Sequence, residues 1–143
     1  MRLIIGYGNT LRSDDAVGQK IAAVVADWQL PAVRSLSVQQ LTPELVTEIA
    51  IAELVIFVDV AIDKTTVEVK KIVPDVATPD TLGHSSNPYT LLSYTQILYN
   101  YVPEAYWILI PGVNFAFGEE LSTLTQQSMT EALREIKKLL IFS

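Results

Sequence analysis

The sequence predicts an α/β fold: a single-domain three-layer sandwich with a mainly parallel, twisted sheet of about five strands flanked by helices. Three features carry that expectation. Strand and helix patterns alternate along the chain. Leu54-Val55-Ile56-Phe57-Val58 is an unbroken apolar run, as in strands buried on both faces. The apolar stretch Leu3-Ile4-Ile5 runs into Gly6-Tyr7-Gly8, whose glycines suit a tight turn from a first strand toward a helix. With 143 residues, half of them apolar, the chain is long enough to bury a core within one domain.

The first strand is expected over about Arg2 to Tyr7 and the first helix over about Asp15 to Trp28, with Ala16, Val17, Ile21, Val24 and Val25 on one face. A second strand is expected near Val33 to Val38. Thr42 then offers an N-cap, and Pro43 a first helical position, for a short helix. The run from Leu54 forms the third strand and ends in Asp59. Thr66 to Val73 reads as a further strand entered through the Asp63-Lys64 turn, with antiparallel pairing open to it. From Pro74 to Pro88 the chain is irregular and punctuated by proline, a length of loop that compact domains often use for function. Pro88 opens a helix to about Tyr101, capped by Ser86 or Asn87, with Leu91, Leu92, Ile97 and Leu98 as its buried stripe. Trp107 to Ile110 is the next strand. The last helix, from about Thr123 to Leu140, carries Leu124, Met129, Leu133, Ile136 and Leu140 at helical spacing, with Lys137 and Lys138 toward its negative end.

Composition closes off several classes of function. The formal net charge of −6 argues against a nucleic-acid partner, and Lys70-Lys71 and Lys137-Lys138 are too small to reverse it. The absence of cysteine removes disulfides, thiolate nucleophiles and sulfur ligands together, so a metal site must use oxygen and imidazole nitrogen. Only a short aliphatic stretch precedes Gly6, so no signal peptide is expected, and no run reaches membrane-spanning length. A soluble cytoplasmic monomer with no membrane partner is the default expectation.

Asp15 after the first strand, Asp59 at the end of the third and His84 in the proline loop form a candidate constellation. If the first and third strands lie parallel and close, both carboxylates emerge at one edge of the sheet and the loop brings the imidazole over them. Two carboxylates and a neutral imidazole make an incomplete coordination set for a divalent transition ion, leaving positions for substrate or water. Plainer readings stand beside this one. Asp14 and Asp15 also suit helix capping, Asp59 a turn, and His84 an ordinary surface loop.

Gly6-Tyr7-Gly8-Asn9-Thr10-Leu11 through Asp14-Asp15-Ala16-Val17-Gly18 resembles the amino-terminal motif of the hydrogenase maturation proteases. Gln40-Leu41-Thr42-Pro43-Glu44-Leu45 is similar to that family's second motif, Phe57-Val58-Asp59 to its strand ending in aspartate, and His84-Ser85-Ser86-Asn87-Pro88 to its histidine loop. Pro111 through Phe117-Gly118, with Leu121-Ser122, resembles the region before its final helix, and Ala16 stands where many members have glycine. The resemblance implies a metal-dependent endopeptidase that trims the carboxyl-terminal extension of a nickel-loaded hydrogenase large-subunit precursor. It also implies that Asp15, Asp59 and His84 are both the catalytic and the nickel-contacting residues. The nickel is then supplied within the substrate as the recognition point, with other divalent ions as substitutes.

No Gly-x-Ser-x-Gly elbow or HExxH helix is present, so neither a serine triad nor that type of zinc protease has a supporting motif. Two versions of the chemistry stand: the metal or a carboxylate activates water, or the trio only docks the metal. Two other functions remain beside the protease. One is a diverged, non-catalytic nickel-binding or interaction protein. The other is a nucleotide or small-molecule binder at the first glycine turn, disfavoured by Leu11 in place of a third glycine and by the acid pair. Tyr89, Tyr94, Tyr99, Tyr101 and Tyr106 are expected to divide between core packing and a partner surface.

Overall fold

The structure, a computed structural model, describes residues 1–75 and 86–142. Its strands are β1 (Arg2–Tyr7), β2 (Val33–Val38), β3 (Leu54–Ala61), β4 (Glu68–Ile72) and β5 (Glu104–Pro111), and its α-helices are α1 (Val17–Asp27), α2 (Val46–Ala50), α3 (Pro88–Tyr99) and α4 (Thr123–Phe142). They form one five-stranded sheet in the order β2-β1-β3-β5-β4, parallel except for the antiparallel β4. The expected three-layer α/β sandwich is the observed one.

Alternation along each strand splits the core into two halves. Leu3, Ile5, Val55 and Phe57 face α2 and α3, meeting Val46, Ile49, Leu91 and Leu92. Ile4, Leu54, Ile56 and Val58 face α1 and α4, meeting Val17, Ile21, Ala132 and Ile136. The chain leaves β1 for the edge through α1 on one face and then returns across β1 to β3 through α2 on the other, as right-handed crossovers require. The strand order therefore reverses between β1 and β3, where a crevice opens at the carboxyl ends of the strands.

Several expectations shift in detail. The first helix begins as a 3-10 turn over Ser13–Ala16, and α1 follows from Val17. Asp59 does not end its strand, because pairing with β5 continues through Val60 and Ala61. Thr42 occupies the N-cap position in extended conformation but makes no side-chain cap; its hydroxyl bonds the Glu44 side chain instead. Asn87, rather than Ser86, caps α3 by accepting from the Thr90 N–H at 3.0 Å. The helix stops at Tyr99 because Asn100 turns left-handed and returns its N–H to the Gln96 carbonyl.

Ile97 and Leu98, expected to be buried, are each 70% exposed. Thr95 takes the buried position instead, satisfying its hydroxyl on the Leu91 carbonyl at 2.8 Å. In α4 the buried face is Thr125, Ser128, Ala132, Ile136 and Leu140; Leu124, Met129 and Leu133 flank it, half-buried. Small side chains at the centre of that face let the helix approach the sheet. The helix continues past Lys137 and Lys138, which therefore miss its last turn: Lys137 lies over the Trp28 ring at 5.3 Å and Lys138 pairs with Glu135. Among the described residues no helix is long and apolar enough to cross a membrane. The proline stretch from Pro74 falls mostly outside the described residues, and His84 with it.

Glycine lets the first helix approach the sheet closely. α1 lies against the ends of β1 and β3 at Gly18, where a Cβ would sit 2.5 Å from the Tyr7 carbonyl oxygen and 2.6 Å from that of Val58. Those oxygens belong to backbone that the sheet holds fixed. Gly18→Ala is therefore expected to destabilise the protein by at least about 2 kcal/mol, at the upper side of overpacking costs. Urea unfolding checks this; an unchanged midpoint would contradict the close approach.

Candidate functional site

The first turn divides two adjacent acids between two tasks. Gly8 adopts φ +145°, a conformation open to glycine, and a Cβ there would collide with the Asp15 carbonyl. Beyond it, Asn9 organises the loop: its side-chain oxygen accepts from the Leu11 N–H at 2.9 Å, and its own N–H donates to Asp15 Oδ2 at 2.7 Å. Asp15 thus faces the crevice between β1 and β3. Asp14, next in the chain, turns inward and is fully buried.

Neither acid caps the helix as one sequence reading had it, for no side-chain cap is made to the 3-10 turn or to α1. Asp14 reaches across to the segment between β5 and α4. Its Oδ2 accepts the N–H groups of Val113 at 2.8 Å and Asn114 at 2.9 Å and the Ser122 hydroxyl at 2.8 Å, and its Oδ1 accepts the Ser122 N–H at 2.7 Å. Burial opposes the charge, but these donors outweigh it and hold the carboxyl below its ordinary range. Ser122 in turn approaches the N–H of Thr125, and Thr125 hydroxyl donates to the Pro111 carbonyl at 2.8 Å, fastening α4 to the end of β5.

Asp59 stands beside Tyr7, since Gly6 pairs with Val58 and the next residues of both strands point to the α2/α3 face. Its Oδ1 accepts its neighbour Val60 N–H at 2.8 Å, and the Tyr7 hydroxyl bonds the carboxylate. Burial first, then the charge of Asp15, pushes Asp59 from 3.8 up to about 7, and the two hydrogen bonds only partly offset this. Tyr7 is pushed up in turn by its burial and by the Asp59 charge. The Trp107 indole N–H approaches the Tyr7 oxygen without hydrogen-bond alignment and has no other partner among the described residues; its ring meets Tyr89 edge-on at 5.8 Å.

Two clefts meet at this acid pair. One, of about 390 Å³, is walled by Tyr7, Gly8, the Gln39–Pro43 segment and Ser86 along with Asp15 and Asp59. The other, of about 460 Å³, is completed by Arg12, Val60, Ile62 and Phe115. Asp15 and Asp59 are therefore brought together as the sequence reading required, while His84 lies outside the described residues. Among the described residues no group of three metal-ligating side chains is assembled. The two carboxylates suit a cation: a buried acid whose proton is held by desolvation and by a neighbouring anion is a charge deficit that a divalent ion relieves.

Sequence reading overlooked Tyr7 as a member of the site and the inward role of Asp14. The signal for Tyr7 was its place between two glycines on the same sheet face as Asp59; nothing local separates the roles of Asp14 and Asp15. Of the tyrosines, Tyr89, Tyr94 and Tyr106 pack half-buried against the core, whereas Tyr99 and Tyr101 are exposed, at the far end of α3 from the clefts.

No protein-family model matches the chain, and no curated protein matches it significantly. Solved structures do resemble it. The NiFe hydrogenase maturation protease HycI from Thermococcus kodakarensis KOD1 is 23% identical, with a TM-score of 0.72 over 97% of this chain and 92% of that one. The hydrogenase maturating endopeptidase HybD from E. coli is 19% identical, with a TM-score of 0.73 over 98% of this chain and 92% of that one. An endopeptidase from Escherichia coli solved in solution is 21% identical, with a TM-score of 0.74 over 95% and 90% of the two chains. The chain has their fold. In this fold the paired acids sit at the strand-order reversal, where an open α/β sheet offers its crevice.

The two aspartates respond oppositely to pH. Between 3.8 and about 7 the folded protein holds a proton on Asp59 that the unfolded chain has released, so stability falls as pH rises through that window. Asp59→Asn is expected to stabilise the protein above about pH 7 by at least about 1 kcal/mol and to leave it nearly unchanged near pH 4. Asp14 acts in the other direction: its contribution is complete above the unfolded value of 3.8 and is lost as pH falls through its lower folded one. Asp14→Asn is expected to cost about 1–3 kcal/mol at neutral pH, as donors are left facing an amide. Denaturant titrations of both variants across pH check these signs, and a destabilised Asp59→Asn at pH 8 would contradict the first.

Proposed function

We propose that this chain is an endopeptidase that removes the carboxyl-terminal extension of a hydrogenase large-subunit precursor after nickel has been inserted. Residues 1–143 then act as one domain of maturation-protease type. The observation that carries the reading is the meeting of Asp15 and Asp59 at one crevice of this fold, where the Asp15 charge adds to the burial that pushes the Asp59 carboxyl up. The nickel belongs to the substrate. In this reading Asp15, Asp59 and His84 contact it, and contact is made only by a precursor already loaded.

Without nickel, burial and the Asp15 charge push Asp59 up to about 7; contact with the ion displaces its proton, and the metal or a carboxylate of the pair activates water at the scissile carbonyl. Tyr7 fixes the orientation of the Asp59 carboxylate from the floor of the cleft. Gln39, Gln40 and Thr42 line the wall opposite, with amides and a hydroxyl suited to peptide backbone.

A phosphate-binding role for the first turn has less support. The N–H groups of Gly8, Asn9, Leu11 and Arg12 are already taken by Val38, Asp15 and Asn9, so they offer no cradle to an anion.

Asp15→Asn, Asp59→Asn and His84→Ala are each expected to abolish trimming of a nickel-loaded precursor, by at least about a hundredfold for a lost acid-base group, while the fold persists. Mass spectrometry of the precursor's carboxyl terminus reads the result, with circular dichroism as the check on folding. Normal trimming by all three variants would remove the assigned site.

A further inference from the structure

The second cleft and its rim have a composition that the two acids do not explain. Arg12 lines it, exposed, and forms no ion pair with any described residue, although the chain carries 16 acidic residues against 10 basic ones. Apart from Arg12 and the acid pair Asp15 and Asp59, the lining is apolar, from Val60, Ile62 and Phe115. Ile62 is 71% exposed, and on the adjoining loops Leu11, Val113 and Phe117 are 45%, 63% and 76% exposed. Single exposed apolar residues are ordinary, but Ile62 lines this cleft and the other three lie within two residues of its lining residues Arg12 and Phe115.

The rim is also held in place. Gly118 N–H donates to the Leu11 carbonyl at 2.8 Å, and Ser13 N–H donates to the Gly118 carbonyl at 2.9 Å, so the 11–13 and 116–118 segments are laced together. Ser13 Oγ adds a bond to the Ala116 carbonyl at 2.7 Å. Asp14, buried beneath, fixes Val113 and Asn114. A surface held this way loses little conformational freedom when something docks on it.

We infer that this cleft is a peptide subsite that accepts an apolar side chain next to an acidic one, the acid pairing with Arg12. The inference rests on the proteolytic reading for the peptide nature of the occupant. The cleft is continuous with the acid pair, so a chain crossing Asp15 and Asp59 runs into it. Apolar walls take the side chain, and Arg12 is the complementary charge. An internal Asp or Glu, rather than a chain end, is the chosen partner, because a cut within a chain leaves residues on both sides of the acids.

The probe is a capped heptapeptide with leucine-phenylalanine-glutamate at its centre and glycine and serine around it, titrated into the 15N-labelled full chain and followed by NMR. Shifts are expected for residues 11–12, 60–62 and 113–118. Replacing the peptide's glutamate by glutamine is expected to weaken binding roughly three- to fivefold, the scale of one partly exposed charge pair. Arg12→Gln is expected to erase that difference, and Phe115→Ser to weaken both peptides alike. Shifts confined to residues 39–43, or equal binding of the two peptides to the unaltered chain, would overturn the subsite. Binding is read without cleavage, so the two readings fail separately. A chain that binds the peptide as described yet never trims a nickel-loaded precursor would unseat the protease and leave the subsite standing.

Discussion

The buried carboxylate of Asp14 is the interaction on which the site depends. Two polypeptide segments about a hundred residues apart in sequence, the turn after β1 and the loop before α4, converge on it through three backbone N–H groups and a hydroxyl. An anion in the interior is costly unless its lone pairs are met, and here they are. Because the chain direction at the 3-10 turn sends Asp14 inward, its neighbour Asp15 faces the crevice. One residue's burial thus sets the other's exposure.

The neighbouring carboxylate shows the opposite balance. Asp59 receives only the Val60 N–H and the Tyr7 hydroxyl, stands near the Asp15 charge, and is held protonated toward neutrality by burial. Two aspartates on one fold therefore sit on either side of the ordinary carboxylate range for stated reasons: one is surrounded by donors, the other by too few. Carboxyls perturbed in this way cluster at functional sites, where proteins trade stability for activity. The strand reversal between β1 and β3 is what opens space above that group.

The rim around the second cleft follows from the same constraint. The bonds that bring Asp14 to Val113, Asn114 and Ser122, and Leu11 and Ser13 to Gly118, also fix where Phe115 stands. A Cβ on Gly112 would press on Val60 and meet Asp14 at 3.2 Å and Phe115 at 3.2 Å, so even the backbone path out of β5 is set by close contact at the acid turn. The packing of this region and the proposed subsite rest on the same few bonds.

Local sequence determined much of this protein. The apolar run of β3, the turn glycines, the proline at the start of α3 and the order of strands and helices follow from steric and burial preferences that act over a few residues, and the candidate acids were legible because Asp15 follows the glycine turn and Asp59 follows the apolar run. What sequence spacing left open was decided by tertiary contacts. Ile97 and Leu98 lie on an exposed helix end while Thr95 is buried, because the packing partner of α3, not its periodicity, chooses the inner face. Asp14 and Asp15 have the same side chain and nearly the same neighbours in sequence; only the arrival of the segment from Val113 to Ser122 makes one a buried anchor and leaves the other to the crevice. Hydrogen-bond donors supplied from so far along the chain have no local trace, which is why the division between the two acids exists only in the folded molecule.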